Sequence, residues 1–347
     1  MNLSHRRAPD RRWAVWAGLG LLAVGVLILI VRNGLPNGIS TIRHGSGPRT
    51  WHVRSAGRGR GAGTSTSPFR TIGDALEVAR AGDTIAVGPG TYRGPVATSV
   101  AGRLGAPIVL SGQGARLVAD GTGRLVTIRH SFVTIEGFDL SGADKGVWVE
   151  GAEGVRILGN RIHDLGGECV RLRAATVRAE VAGNTIGPCG LRNFSLAKGR
   201  KNGEGIYVGT APEQLPHHGP ERDGSRDNWI HDNDIVTRAE CVDLKEGSTA
   251  NLVERNRCSG GLDPDGSGFD SRGNSNTFRS NVATGEAGAG IRLGGDTPRD
   301  GLGNTVVDNT LVDNGGYGIK IERQPQGDIA ANHLSGNRQG PVGPPDG

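Results

Sequence analysis

Short runs of β-forming residues, separated by Gly, Asn and Asp, recur along most of this chain. One such run is Ile157-Leu158-Gly159-Asn160-Arg161-Ile162, in which an Asn is flanked by strand-forming residues. The same pattern recurs, in steps of 24, 49, 23, 25, 28 and 23 residues, at Asn184, Asn233, Asn256, Asn281, Asn309 and Asn332. Gly137 extends the series by one step of 23 toward the N-terminus. A period near 24 residues without helical periodicity predicts a solenoid of short strands.

The Asn positions indicate the kind of solenoid. A leucine-rich repeat needs a Leu-x-x-Leu-x-Leu consensus, which this sequence lacks. Asn side chains at one bend of each coil can stack and form hydrogen bonds along the solenoid axis. With 60 Gly residues and only 4% aromatic residues, the composition suits thin stacked strands with tight turns. We therefore predict an all-β fold, a right-handed parallel β-helix with coils of about 24 residues.

The ends of the chain divide it into five predicted parts. Residues 1–12 are rich in Arg and precede an uncharged run, 13–31, that is long enough to cross a bilayer as one helix. The basic flank favours a cytoplasmic N-terminus. Residues 32–50 then form a linker, the β-helix (51–339) lies outside the cytoplasm, and 340–347 form a disordered tail. A cleaved signal peptide is the alternative, although no small-x-small cleavage site follows the run.

Four Cys residues agree with an extracytoplasmic location, where disulfides persist. They allow three pairings, of which we favour Cys169–Cys189 and Cys241–Cys258, since each pair would link neighbouring coils. Four buried thiols are the alternative. The spacing lacks a C-x-x-C pair, so it does not favour a zinc site.

The N-terminal part of the predicted β-helix resembles the entry segment of pectate-lyase-like β-helix proteins. The resemblance rests on Trp51-His52-Val53, a Gly-rich turn through Gly63, Ser67 to Leu76, Ala81 to Ile85 and Gly88 to Tyr92. It implies a strand and a short helix that cap the open end of the solenoid.

The residues themselves support that helix. Thr71 and Asp74 form a start like a capping box, and Ile72, Ala75, Leu76 and Ala79 share one helical face. A cap is needed because an open coil exposes unpaired strand edges.

Candidate chemistry lies on one strand of successive coils. The aligned segments are Glu168–Arg173, Glu204–Gly209, Glu240–Lys245, Ser267–Arg272, Ala289–Gly294 and Tyr317–Glu322. Because strand side chains alternate between faces, Asp243 and Lys245 point outward when Val242 points inward. Stacking at about 4.8 Å places Asp243 beside Asp270, Lys245 beside Arg272, and Glu204 beside Glu240.

Outward charges on a solenoid are often ordinary cross-strand pairs. Two features favour a functional site here. Only Lys145, Lys198, Lys201, Lys245 and Lys320 are Lys among 40 basic residues, so Arg would be expected for a merely solvated cation. Three insertions, 190–202, 209–228 and 261–267, also cluster beside these coils, and loops on one side of a solenoid often wall its binding face.

The strand Glu240-Cys-Val-Asp-Leu-Lys245, followed one coil later by Arg272, resembles the active-site strands of the chondroitinase B and alginate lyase family. The resemblance implies that Glu240 binds calcium, that Lys245 is the Brønsted base and that Arg272 assists it. Where the family has a second acidic ligand this chain has Arg238, so Glu204 would supply the second carboxylate from the preceding coil.

This interpretation predicts β-elimination on a uronic-acid glycan. Calcium at Glu204 and Glu240 would neutralise the uronate, and a cation beside Lys245 would lower its pKa so that it accepts the C5 proton. The predicted substrate contacts are Asp243, Asp270 and a basic loop with Arg192, Lys198, Arg200 and Lys201.

Two other functions remain open from the sequence. A glycoside hydrolase would use Asp243 and Asp270 as its carboxyl pair, since stacked carboxylates near 5 Å suit a retaining mechanism. A non-catalytic glycan-binding or structural β-helix is the other. The net charge of +5 does not favour a nucleic-acid partner, because the basic residues are scattered. The expected partners are an acidic polysaccharide and the membrane, and the protein is expected to be a monomer.

Overall fold

Each coil of the chain contributes strands to three parallel sheets, and about ten coils stack into a right-handed parallel β-helix. A computed structural model describes residues 47–56, 61–215 and 222–343. The strands are numbered β1 to β33 in chain order.

Sheet one has eleven strands, in spatial order Thr50–Val53 (β1), Thr84–Val87 (β2), Ile108–Ser111 (β5), Val133–Glu136 (β8), Arg156–Leu158 (β11), Glu180–Ala182 (β14), Trp229–His231 (β19), Leu252–Glu254 (β22), Thr277–Arg279 (β25), Thr305–Val307 (β28) and Ile329–Ala330 (β31). Sheet two has ten strands, Gly90–Arg93 (β3), Ala115–Val118 (β6), Asp139–Ser141 (β9), Arg161–His163 (β12), Thr185–Ile186 (β15), Asp234–Val236 (β20), Arg257–Ser259 (β23), Val282–Thr284 (β26), Thr310–Val312 (β29) and His333–Ser335 (β32). Sheet three has ten strands, Val96–Ala97 (β4), Arg124–Ile128 (β7), Lys145–Glu150 (β10), Val170–Arg173 (β13), Ile206–Val208 (β18), Val242–Leu244 (β21), Ser267–Ser271 (β24), Ala289–Leu293 (β27), Tyr317–Ile321 (β30) and Gly340–Gly343 (β33).

A small antiparallel hairpin, Phe194–Ser195 (β16) and Arg200–Lys201 (β17), projects from the coils. Two short 3-10 helices lie at Leu196–Lys198 and Pro212–Gln214. Inside the coils, aliphatic and Phe side chains stack in columns, as Val170, Ile206, Val242, Phe269 and Ile291 do on sheet three. This column is fully buried, so the core runs the length of the solenoid and holds sheet three in a fixed register.

The predicted cap is confirmed. Helix α1 spans Ile72–Val78, and the Thr71 Oγ1 accepts a hydrogen bond of 3.0 Å from the Asp74 backbone N–H. Ile72, Ala75 and Leu76 are buried against the first coil, as the apolar face required.

The predicted Asn ladder is also confirmed. Each ladder Asn uses its Oδ1 to accept hydrogen bonds from the backbone N–H and the Nδ2 of the ladder Asn one coil earlier, at 2.9–3.1 Å between Asn233 and Asn256. The ladder extends toward the N-terminus at Phe138, whose backbone N–H donates to Asn160, and not at Gly137. Gly137 pairs with Gly159, so the sequence alignment was one residue out of register there.

A second ladder, which the sequence analysis did not identify, links Asn228, Asn251 and Asn276 in the same way, and Asn276 continues it to Asn304 through its backbone N–H alone. Both ladders satisfy backbone N–H groups at bends where the strand pairing stops. Buried N–H groups without such partners would be costly.

Replacing Asn256 with Ala should lower the free energy of unfolding by roughly 3 kcal/mol or more, because several buried polar groups lose their partner at once. Chemical denaturation would measure the loss. Asn332→Ala is the matched control, since Asn332 ends the ladder and is only half-buried, and its loss should be clearly smaller. Equal losses for the two variants would contradict a ladder whose central members carry the stability.

Both favoured disulfides are present, Cys169–Cys189 and Cys241–Cys258, with Cα–Cα distances of 5.8 Å. Each joins a residue of one coil to a residue of the next. The second disulfide starts beside Glu240 and therefore fixes one edge of the candidate site described below.

Two predicted boundaries differ from the structure. Gly340–Gly343, assigned from its Gly and Pro content to a disordered tail, forms the last strand of sheet three and pairs with β30. Thr50, assigned to the linker, begins β1. The predicted membrane span, 13–31, lies outside the described residues. Within those residues, no helix has the length and apolar character needed to cross a membrane.

Candidate active site on sheet three

The outward face of sheet three brings the predicted polar residues together. Tyr207, Asp243 and Asp270 are direct neighbours on β18, β21 and β24. Lys245 and Arg272 come directly after β21 and β24 at matching positions. The predicted adjacency of Asp243 with Asp270, and of Lys245 with Arg272, is confirmed.

The three insertions cover this face and form a narrow cleft of about 150 Å³ over it. The cleft is lined by Lys201, Asn202, Glu204, Tyr207, Glu213, Gln214, Glu240, Lys245, Asp263, Arg272 and Arg292. Each insertion contributes to the walls, as the sequence analysis predicted. The face is therefore more enclosed than an outer solenoid wall, and ionisable groups here lie in a lower effective dielectric than surface groups do.

Three carboxylates meet at one side of the cleft. One oxygen atom each from Glu204, Glu240 and Asp243 lie within 4.8 Å of one another. Burial, together with the negative charges of Glu168 and Asp243, raises the pKa of Glu204 to about 7. Burial, together with the charges of Asp243 and Asp270, raises the pKa of Glu240 to about 8. The Asp243 Oδ1 is buried and has no hydrogen-bond partner among the described residues.

This arrangement fits a hard divalent cation. Three carboxylates that repel one another, one of them with an unpartnered buried oxygen, lose that repulsion when a cation joins them. Glu204 lies next to Glu240, where the resemblance implied a second carboxylate in place of Arg238. A second group of ligand atoms, Cys241, Cys258 and Glu286, does not fit a metal, because both sulfur atoms are joined in a disulfide.

Lys245 is held as a cation in this structure. Its Nζ lies 2.7 Å from the Asp243 Oδ2. Burial alone would lower the pKa of Lys245, but the adjacent Asp243 carboxylate outweighs both burial and the charge of Arg272, and the pKa is raised. The predicted lowering of the Lys245 pKa by Arg272 is therefore wrong for this geometry, because the nearer group is an anion.

Tyr207 is a functional candidate that the sequence analysis missed. Its side chain is 2% exposed, it contributes to the cleft lining, and its hydroxyl is buried with no hydrogen-bond partner among the described residues. The Arg171 Cζ lies 3.6 Å from the centroid of the Tyr207 ring, and the Lys245 Nζ lies 5.0 Å from it. Burial raises the pKa of Tyr207, which keeps the phenol protonated. Its place beside Asp243 in the aligned strands was the signal that could have identified it.

Asp270 and Asp243 were predicted as substrate contacts, but neither belongs to the lining of the cleft. Both lie beneath it as counter-ions. Their exposed fractions are 0% and 1%. Arg292 donates to Asp270 through Nε at 3.1 Å and also through Nη2, and the Arg272 Nε lies 3.6 Å from the same carboxylate. Burial would raise the pKa of Asp270, but these guanidinium groups lower it overall. Asp270 therefore positions the two Arg side chains that do line the cleft.

Only one of the four residues of the predicted basic loop lies in the cleft lining. Lys201 lines the cleft, with its Nζ 2.7 Å from the Asp263 Oδ2. Arg192 does not line it, because its Nη2 donates to the carbonyl oxygens of Gly121 and Ala143 in earlier coils, at 2.7 Å each. Lys198 and Arg200 are exposed on the hairpin and are absent from the cleft lining.

Comparisons with known proteins agree with the fold. Residues 199–342 match the family model described as periplasmic copper-binding protein (NosD), and residues 55–100 match a model for a protein of unknown function (DUF1565). Both are β-helix families. No curated protein matches the sequence.

Several solved structures are similar. An alginate lyase from Paenibacillus sp. str. FPU-7 superposes with a TM-score of 0.66 and 22% identity, over 85% of this chain and 99% of that one. Pectate lyase Pel9A gives 0.62 and 15%, over 84% and 80%, and a rhamnogalacturonan lyase gives 0.52 and 14%, over 85% and 86%. These likenesses show the fold. At such identities they do not transfer an activity.

Proposed function

We propose that this protein is a polysaccharide lyase, held at the outer side of a membrane, that cleaves an acidic uronate glycan by β-elimination. The observation that supports it is the cleft itself. One narrow, enclosed space contains a Lys amine, an unpaired Tyr hydroxyl and two guanidinium groups, from Lys245, Tyr207, Arg272 and Arg292, beside a cluster of carboxylates.

The first requirement of β-elimination is to make the C5 proton of the uronate more acidic. Arg272 and Arg292 line the cleft and can bind the substrate carboxylate in a forked geometry, which stabilises the negative charge that develops there. Calcium, when bound by Glu204, Glu240 and Asp243, would add positive charge next to that carboxylate.

The second requirement is a base. Lys245 must be neutral to take the C5 proton, so its ammonium, which lies 2.7 Å from the Asp243 Oδ2, must first release a proton to solvent in the cleft. Because the Asp243 carboxylate raises the pKa of Lys245, this proton release is a separate and unfavourable step that must precede abstraction of the C5 proton. The C5–H electron pair then forms the C4–C5 double bond.

The third requirement is an acid for the leaving oxygen. Tyr207 keeps its proton because burial raises its pKa, and its hydroxyl has no other partner in the described structure. As the C4–O4 bond breaks, the phenol donates its proton to O4. The Lys245 ammonium, 5.0 Å from the Tyr207 ring, then stabilises the phenolate until it is reprotonated.

A glycoside hydrolase and copper binding receive less support than the lyase. A hydrolase that uses Asp243 and Asp270 needs one of them protonated and in contact with substrate, but Asp270 lies beneath the cleft and its Arg neighbours lower its pKa. Copper binding, named in the description of one matching family, needs imidazole or sulfur ligands. The ligand clusters found in the described residues contain only carboxylates and a disulfide.

The full-length chain in detergent, incubated with a series of anionic and neutral polysaccharides, tests the proposal. We expect ultraviolet-absorbing unsaturated ends from a polyuronate and none from neutral glycans, with higher rates in calcium than in a chelator. Saturated products would favour the hydrolase, and binding without any product would favour a glycan-binding solenoid. Either result would overturn the lyase proposal.

A further inference from the structure

A group of Arg side chains lies on the same face of sheet three, on the N-terminal side of the cleft. It surrounds Trp148 of β10, which is 7% exposed. The Cζ atoms of Arg124, Arg171 and Arg173 lie 4.0, 5.4 and 5.6 Å from a ring centroid of this indole. We call Trp148, Arg124, Arg129 and Arg173 the arginine patch.

The arginine patch carries more positive charge than its counter-ion balances. Arg124, Arg129 and Arg173 share one carboxylate, Glu150, at 3.6, 3.0 and 3.8 Å. Only the Arg129 contact is also a hydrogen bond. Burial lowers the pKa of Arg124, and the neighbouring guanidinium groups add to this effect against the attraction of Glu150.

Two of these side chains have unused donors. Arg124 and Arg173 donate no hydrogen bond to any residue that the structure describes, and the Arg173 Nε is buried without a partner. An Arg that only stabilises the fold is usually paired with a carboxylate in good geometry. Here the indole holds the guanidinium groups in place through cation–π contacts, which leave their N–H donors available.

The arginine patch is continuous with the cleft. Tyr207 follows Arg171 and Trp148 in one outward column, and Lys245 lies in the column of Arg173. The position between Arg173 and Lys245 is Gly209, which has no side chain to interrupt the surface. Arg173 is two strands from Lys245, roughly 10 Å at the spacing of parallel strands.

We infer that the arginine patch is a substrate-binding subsite that holds a carboxylate of an acidic glycan a few sugars away from the bond at Lys245. Its identity as a subsite rests on the proposed function, whereas anion binding by Arg124 and Arg173 does not. A carboxylate fits because a planar, two-oxygen anion matches guanidinium donors. The glycan would then lie along the solenoid axis, extending toward the N-terminal cap.

Binding of saturated oligouronates of increasing length to the full-length protein tests this inference. We expect Arg173→Ala and Arg124→Ala each to weaken the binding of long oligouronates by about tenfold. The shortest oligouronates that bind should be unaffected, because they do not reach the arginine patch. Arg178→Ala is the matched control, since Arg178 is exposed, pairs with Glu153 and lies between the sheets away from this face.

Tryptophan emission supplies a second readout. Long oligouronates should change the emission of Trp148, and Trp148→Phe should remove that change. Circular dichroism would show that each variant is folded. Unchanged affinity in both Arg variants, equal losses for short and long ligands, or binding of sulfated but not carboxylated glycans would overturn the inference.

The two proposals fail in different ways. If oligouronates bind with the predicted dependence on Arg124 and Arg173 but no glycan yields unsaturated products, the lyase proposal fails and the anion site stands. If products form but their rates with long substrates do not depend on either Arg, the subsite fails and the lyase stands.

Discussion

Replacing Lys245 with Ala should lower the rate of unsaturated product formation by about 10²- to 10⁴-fold, the contribution expected of a positioned acid or base. Among the described residues, Lys245 is the amine that lies in the cleft beside Asp243, and this variant removes it.

Tyr207→Phe should lower kcat by a similar factor, because it deletes the unpaired hydroxyl and keeps the ring that contacts Arg171 and Lys245. KM should change little for Tyr207→Phe, since the phenol acts on the leaving oxygen.

The matched control is Lys320→Ala. Lys320 lies two strands beyond Asp270 in the same outward column, and its Nζ is 2.7 Å from Glu322. This variant should keep the wild-type rate. Full activity of Lys245→Ala would remove Lys245 as the base, and full activity of Tyr207→Phe would remove Tyr207 as the acid. Loss of activity in Lys320→Ala as well would indicate a general effect of charge on this face.

The second large effect is on stability. In the absence of divalent cations, the thermal midpoint should fall, on the order of 5 °C, as the pH rises from about 5 to about 8. Glu204 and Glu240 have raised pKa values of about 7 and about 8 in the folded protein, against an ordinary value of 4.5. In this pH range the folded state therefore binds more protons than the unfolded state, so raising the pH favours unfolding. Below the ordinary value both states are protonated and the dependence disappears.

Calcium should reverse this fall. At pH near 8 Glu204 is largely ionised and Glu240 is about half ionised, and a cation that joins them stabilises the folded state by mass action. Thermal scans in calcium and in a chelator, across the pH range, measure both effects. Glu240→Gln should flatten the pH dependence and reduce the calcium effect, whereas Glu213→Gln, an exposed residue at the cleft rim, should change neither. A midpoint that rises with pH in the chelator would contradict the proposed carboxylate cluster.

The solenoid explains why these charges can be held so close. Neighbouring strands fix outward side chains about 4.8 Å apart, and the aliphatic column beneath them prevents the strands from sliding. Repulsion between Glu204 and Glu240 therefore cannot relax by movement of the backbone. Burial first, and neighbouring carboxylates such as Asp243 second, raise the pKa values of both groups, which favours either a proton or a cation at this point.

Some features of the site could not be predicted from the sequence repeat alone. Arg192 and Lys201 belong to one insertion and looked equivalent in the sequence, yet Arg192 binds carbonyl groups of earlier coils and Lys201 lines the cleft. The path of an insertion is not periodic, so spacing along the chain does not predict which way its side chains turn. The arginine patch was not predicted for a related reason. The role of Trp148 depends on the guanidinium groups of Arg124 and Arg173 that pack on its ring, and the repeat pattern does not show that packing.

The sequence by itself determined the β-helix, the Asn ladder, the capping helix and the pairs Asp243–Asp270 and Lys245–Arg272, and it favoured both disulfides over the other pairings. Parallel stacking explains this success, because it turns a regular period in the chain into adjacency in space. Only the tertiary structure decided that the insertions bury these charges, that Asp243 keeps Lys245 protonated, and that the Tyr207 hydroxyl is unpaired. Those properties depend on the local dielectric constant and on the distances between charged groups from several coils, which no repeat pattern specifies.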